Sequence, residues 1–259
     1  MSELSGKRAL VCGASRGIGR ATALALAARG ASVALLARDA EGLGRVAEAI
    51  AARGGSAEVV PADLDDRDGL AATLSARLAA GGPVHIWVNN TGGPPSGPLL
   101  DAPESAFQAA FGRHVLAPQR ILSALLPGMR AAGYGRIVNI LSTSVREPID
   151  NLGVSNLVRA AVAAWAKTLS RELPPGVTIN NILPGYTDTE RLGELATAAA
   201  ARGNRTADAV RADWQAQVPE GRLGHPDELA AVVAFLCSPA ASYVRGVSLP
   251  VDGGRLRSM

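Results

Sequence analysis

The sequence predicts an α/β fold, a doubly wound parallel sheet with helices on both faces, and three observations carry that prediction. Short apolar runs alternate with longer segments of helical apolar spacing along the whole chain, as strand and helix units of a parallel sheet do. The first run, 9–12, passes into the first helical segment, 18–26, through the glycine-rich turn Gly13-Ala14-Ser15-Arg16-Gly17-Ile18-Gly19. The chain has 259 residues with 47% hydrophobic content and no linker-like or low-complexity stretch, so 1–259 reads as a single domain around one core.

The elements follow in order. Strands are expected over 32–37, 57–61, 84–88, 136–140 and 177–183, with a last strand and a glycine turn within 246–254. Helices are expected over 39–53, 66–80, 103–110, 113–132, 153–173 and 229–237. The last is opened by Pro226, whose missing N–H costs nothing at a helix start. Residues 92–98, dominated by Gly and Pro, cannot be regular and form a rigid loop. Residues 187–219 are weakly patterned and read as a mobile flap over a substrate, with helical filler as the alternative.

Glycines at a strand-to-helix turn make a phosphate cradle. Without Cβ atoms the backbone turns tightly and approaches a pyrophosphate, while the free N–H groups and positive end of the helix receive its oxygens. The second strand ends in Arg38-Asp39. An acidic residue there receives the ribose 2′-hydroxyl of NAD, whereas a nearby arginine favours a 2′-phosphate. Arg38 with Arg16 favours NADP(H) over NAD(H), while Asp39 caps the next helix or competes.

Composition excludes several classes. The net charge of +3 comes from scattered arginines that form no basic stripe, which argues against nucleic acid. No signal-peptide pattern opens the chain, and no apolar run approaches the ~20 residues of a membrane span. Cys12 and Cys237, far apart and without metal spacing, read as reduced structural thiols in a cytoplasmic protein. No metal site is expected, and His85, inside a strand, reads as packed.

The glycine spacing at 13, 17 and 19, Asn89-Asn90-Thr91-Gly92, and the segments 221–228 and 246–254 resemble the short-chain dehydrogenase/reductase family, notably its 3-oxoacyl-acyl-carrier-protein reductases. The resemblance spans about residues 6–254, with Cys12 where the family commonly has Thr. It implies a Rossmann-like fold and a homodimer or homotetramer, with helices near 113–132 and 153–173 and the last strand at the contacts. It also implies cofactor contacts from Gly13, Ser15, Arg16, Gly17, Ile18, Gly19, Arg38, Asn90, Thr91, Gly92, Arg159, Pro184, Gly185 and Thr187. Asp63 and Leu64 would lie at the adenine, although Asp63 reads equally as a helix cap.

Family members usually carry Asn, Ser, Tyr and Lys, the last two as YxxxK. Ser142 fits the serine position, but Ser155 and Arg159 stand for Tyr and Lys, and His114 for Asn. A serine hydroxyl is a far poorer acid than a phenol, and arginine stays protonated where lysine can relay a proton. His114 and Tyr186 are the candidate replacement acids, with packing and pocket lining as their alternatives. Glu147 and Asp150, in the loop between Ser142 and Ser155, are candidate bases, with solvated loop charges as the favoured reading.

The expected function is that of an NADP(H)-dependent oxidoreductase acting on a small-molecule ketone or alcohol through a non-standard site. Two alternatives stay open: a non-redox lyase, isomerase, dehydratase or carbon–carbon bond-forming enzyme on this scaffold, and a catalytically silent nucleotide binder.

Overall fold

The computed structural model describes residues 2–258. Its strands are β1 (Arg8–Cys12), β2 (Ser32–Ala37), β3 (Ser56–Pro61), β4 (Ile86–Asn89), β5 (Gly135–Ile140), β6 (Val177–Pro184) and β7 (Ser248–Val251). They form one parallel sheet in the order β3-β2-β1-β4-β5-β6-β7. The helices among the described residues are α1 (Gly17–Ala28), α2 (Ala40–Ala51), α3 (Arg67–Gly81), α4 (Glu104–Phe111), α5 (Ala117–Ala131), α6 (Gly153–Glu172), α7 (Glu190–Gly203), α8 (Ala207–Ala216) and α9 (Pro226–Leu236).

Alternation along each strand builds two cores. Ala9 and Val11 of β1 pack with α1, α2 and α9, whereas Leu10 and Cys12 point the other way, toward α3, α5 and α6. Both faces are covered, which is why the strands read as unbroken apolar runs. Because β1 lies between β2 and β4, the chain reverses its direction of winding there, and a crevice opens beyond the strand ends.

The sheet also contains a polar seam. Asn89, Asn139, Asn181 and Ser248 stand in register on β4, β5, β6 and β7. Asn89 Nδ2 donates to Asn139 Oδ1 (2.8 Å), Asn139 Nδ2 to Asn181 Oδ1 (2.8 Å), and Asn181 Nδ2 to Ser248 Oγ (2.9 Å). Burial makes each of these bonds costly to break, so the ladder locks the strand register behind the crevice.

Two expectations are corrected and one alternative is decided. The helices expected over 103–110 and 113–132 are one continuous helical run, joined by a π turn at Gly112–Leu116. Pro118, which has no N–H to offer the carbonyl of His114, accounts for the wide turn. The fourth strand begins at Ile86 because Val84 is buried by packing outside the strand, so its apolar character reports burial alone. The region 187–219 is helical for most of its length, with Thr189 and Thr206 capping α7 and α8 by accepting from Leu192 N–H and Ala209 N–H.

Candidate active site

A cleft of about 1180 Å³ opens at the carboxyl ends of β1, β4, β5 and β6. Its first wall is the glycine turn. Gly13 has φ +62°, and a Cβ on it would lie 2.7 Å from Asn90, whose Nδ2 donates to the Gly13 carbonyl at 3.4 Å. A Cβ on Gly19 would overlap that same carbonyl, so close packing of turn, helix and β4 requires glycine here. Arg16 stands at the N-cap of α1 and places no side-chain cap on it. The first N–H groups of α1 therefore point at the cleft free of a side-chain acceptor, which suits the pyrophosphate of a dinucleotide.

Every residue expected to touch a cofactor lines the cleft except Gly19, which lies beneath it against Gly13. Arg38 projects from the end of β2 and meets Asp63 at 3.9 Å. Arg16 donates instead to Glu194 of α7 at 3.0 Å, so the two arginines reach in different directions. Asp39 accepts from Gly42 N–H (2.9 Å) and caps α2. Asp63 Oδ1 accepts from Asp65 N–H (3.0 Å) and shapes the turn after β3.

The end of the cleft where the catalytic residues are expected is built from β5 and α6. Ser142 follows β5 and caps a single 3₁₀ turn, its Oγ accepting from Ser144 N–H at 3.0 Å. Ser155 and Arg159, four residues apart on α6, share one helix face, and Arg159 Nε donates to Ser155 Oγ at 3.2 Å. Arg159 Nη1 donates to the carbonyls of Ile140 (3.2 Å) and Leu141 (2.7 Å), which ties the guanidinium to the end of β5. Burial, with the charge of Arg191 added, pushes its pKa down to about 10, so it remains a cation at neutral pH.

His114 stands apart from this group. It is the third residue of the π turn, is buried, and is not on the cleft wall. Its Nδ1 lies 3.4 Å from Thr91 Oγ1, while Nε2 is buried without a partner. Burial first, then the Arg159 and Arg113 charges, push its pKa down to about 3, so the ring is neutral.

Tyr186 lines the cleft with its ring stacked on Trp214, centroids 5.2 Å apart, and its hydroxyl donating to Gln217 at 3.3 Å. Arg255 lies 4.6 Å from the same ring and donates to Thr143 Oγ1 at 3.0 Å. Glu147 is spent on the backbone N–H groups of Arg257 and Ser258. Asp150 lines the cleft. His85 accepts from Arg8 N–H through Nδ1, a packing role. Cys12 and Cys237 are buried free thiols, pushed by desolvation up to about 11 and about 12, and neither lines the cleft.

Cleft residues that sequence reasoning missed include Arg191, Arg202, Trp214 and Arg255. Arg191 donates to the Pro94 carbonyl (3.0 Å) and Arg202 to Ser96 Oγ (3.1 Å), so α7 is fastened to the loop 92–98. The Thr cap of α7 was the available signal, because it starts a helix whose arginines then recur on one face.

Residues 13–255 match the family described as enoyl-(acyl carrier protein) reductase. The chain is 35% identical over 258 residues to 3-oxoacyl-[acyl-carrier-protein] reductase from Pseudomonas aeruginosa, covering 98% of this chain and 99% of that protein. It is similar, with TM-score 0.93 and 30% identity over 100% of both chains, to L-sorbose reductase from Gluconobacter frateurii complexed with NADPH and L-sorbose. YwfH, an NADPH dependent reductase involved in bacilysin biosynthesis, matches with TM-score 0.93 and 28% identity over 98% of this chain and 100% of that one.

Proposed function

Since the chain belongs to the short-chain dehydrogenase/reductase family of oxidoreductases, we propose that it is an NADP(H)-dependent enzyme interconverting a ketone and an alcohol. The observation that carries this reading is one cleft holding both the uncapped glycine cradle and the Ser155–Arg159 pair. The bound nicotinamide would supply the hydride. The chain's own residues bind, orient and polarise.

Ser155 Oγ takes an N–H from Arg159, which leaves the serine proton free to donate to a carbonyl oxygen. The neighbouring cation strengthens that donor and stabilises negative charge growing on the oxygen. Ser142, on the same wall, is the second hydroxyl donor. The developing alkoxide is a stronger base than a serine alkoxide, so the Ser155 proton completes the alcohol and solvent restores it to the serine. His114, neutral and behind the wall, positions Thr91, and Tyr186 forms the aromatic side of the substrate space.

The NADP(H) preference rests on Arg38 and Arg16 at the cleft rim and on NADPH in the names of two structurally similar reductases. The chain works as a cytoplasmic homo-oligomer in this reading. Phe111, Leu116 and Leu157 are exposed together around a shallow groove between the π turn and α6, where a second copy would pack.

The test follows NADPH absorbance and product mass together across a ketone panel. Turnover with NADPH loss is expected, and Ser155→Ala should lower kcat about 100-fold, the scale of one oxyanion donor. Product without NADPH loss would replace this reading with a non-redox one. Arg38→Ala should weaken NADPH about tenfold and NADH little, since only NADPH carries the 2′-phosphate; equal losses would remove the cofactor preference.

A further inference from the structure

Resting on the reductase reading, we propose that the substrate is a short oxo acid whose carboxylate sits between Arg159 and Arg191 against Gly93. The position a Cβ would take on Gly93 lies 3.4 Å from Arg159 Nη2, 3.8 Å from Arg191 Nη2 and 3.9 Å from Ser155 Oγ. Two guanidinium nitrogens and the Ser155 hydroxyl thus lie within 4 Å of one point beside Gly93, on the side where it carries no side chain.

The charge around that space is unbalanced. Arg159 has no carboxylate partner among the described residues, only Ser155 Oγ and two backbone carbonyls. Arg191 pairs with Glu194 (3.1 Å), but that carboxylate also serves Arg16 (3.0 Å), so one negative charge answers two positive ones. Of the carboxylates on the cleft wall, Asp39 caps α2, Asp63 meets Arg38 and Glu190 stands beside Gly17. Asp150 forms no ion pair with Arg159 or Arg191.

Arg136 supplies the contrast. It is also buried without a carboxylate, but the Tyr134 ring covers it and Nε and Nη1 donate to carbonyls of the fold. Arg159 Nη2 instead meets no acceptor of the fold, and Arg191 Nη2 spends one N–H on the Pro94 carbonyl (3.0 Å) and keeps a second, so like charges approach beside Gly93 at a cost that an anion offsets. A carboxylate takes one N–H from each guanidinium. Since Ser155 Oγ borders the same space, the carbonyl it polarises lies within a bond or two of that carboxylate, as in a 2-oxo or 3-oxo acid.

The experiment compares 2-oxo and 3-oxo acids with their methyl esters under saturating NADPH, for the wild type, Arg191→Gln and Gly93→Ala. The acids should exceed their esters at least tenfold in kcat/KM. Both substitutions should bring that ratio close to one by raising KM for the acid. Equal use of acid and ester by the wild type would overturn the carboxylate site and leave the reductase standing. Lost NADPH affinity with the ratio intact in Arg191→Gln would assign the pair to a cofactor phosphate and also overturn it. If no carbonyl compound consumes NADPH, the reductase reading fails instead. Calorimetry with oxalate on the NADPH-loaded protein then judges the site separately: heat abolished by Arg191→Gln supports it, and no heat overturns it.

Discussion

His114 shows how far placement can move one side chain from its solution chemistry. Desolvation and two nearby arginines hold its pKa near 3, so it contributes no inflection near pH 6.5 to a rate profile. Its effect falls on stability. The unfolded chain binds a proton at this ring below about 6.5, whereas the folded one resists until about 3. Stability is therefore complete above about 6.5 and declines as pH falls toward 3. The melting temperature should drop more steeply between pH 7 and 4 in the wild type than in His114→Asn; parallel curves would show that the ring is not held neutral. The residue was legible in the sequence as a departure from the family's Asn. Its burial was not, because the π turn that rotates it behind the cleft depends on Pro118 further along the chain.

The element that sequence patterning left most open is the region 187–219. Its two helices have short apolar stripes: Ala196 and Ala200 of α7 pack on Val210 of α8, while the buried Leu192 faces the cleft. Periodicity that weak does not separate helix from loop, whereas the Thr caps do. Helix α7 lies over the glycine turn, tied by the exposed Arg16–Glu194 pair, and over the loop 92–98, tied by Arg191 and Arg202. An exposed pair of this kind contributes about 0–1 kcal/mol. In the proposed reading, Glu194 would nonetheless compete with a 2′-phosphate for Arg16. Glu194→Gln should therefore tighten NADPH a few-fold while leaving NADH affinity unchanged, as read by fluorescence titration; a weaker NADPH complex would show that the tie helps to form the site. The glycine turn and Pro226 were readable because each depends on local backbone geometry alone.

Across the whole molecule, the exposed apolar group of Phe111, Leu116 and Leu157 is where assembly should be decided. Leu157→Arg places like charges across a two-fold contact, and light scattering should then find a species at most half the wild-type mass. An unchanged mass would move the contact elsewhere, for instance to the open edge of β7 with exposed Val247 and Leu249. Sequence alone determined the parallel α/β class, most strand positions, the glycine turn between β1 and α1, and the placing of Ser155 and Arg159 on one helix face. Each of these follows from local rules: apolar period, glycine at positive φ, and four-residue spacing on a helix. Tertiary structure decided what depends on distance through space: that His114 is buried and neutral, that Asn139 joins a ladder across four strands, and that Arg191 faces Arg159. Separation along a chain says little about separation in a fold, and electrostatic environment is a property of the second alone.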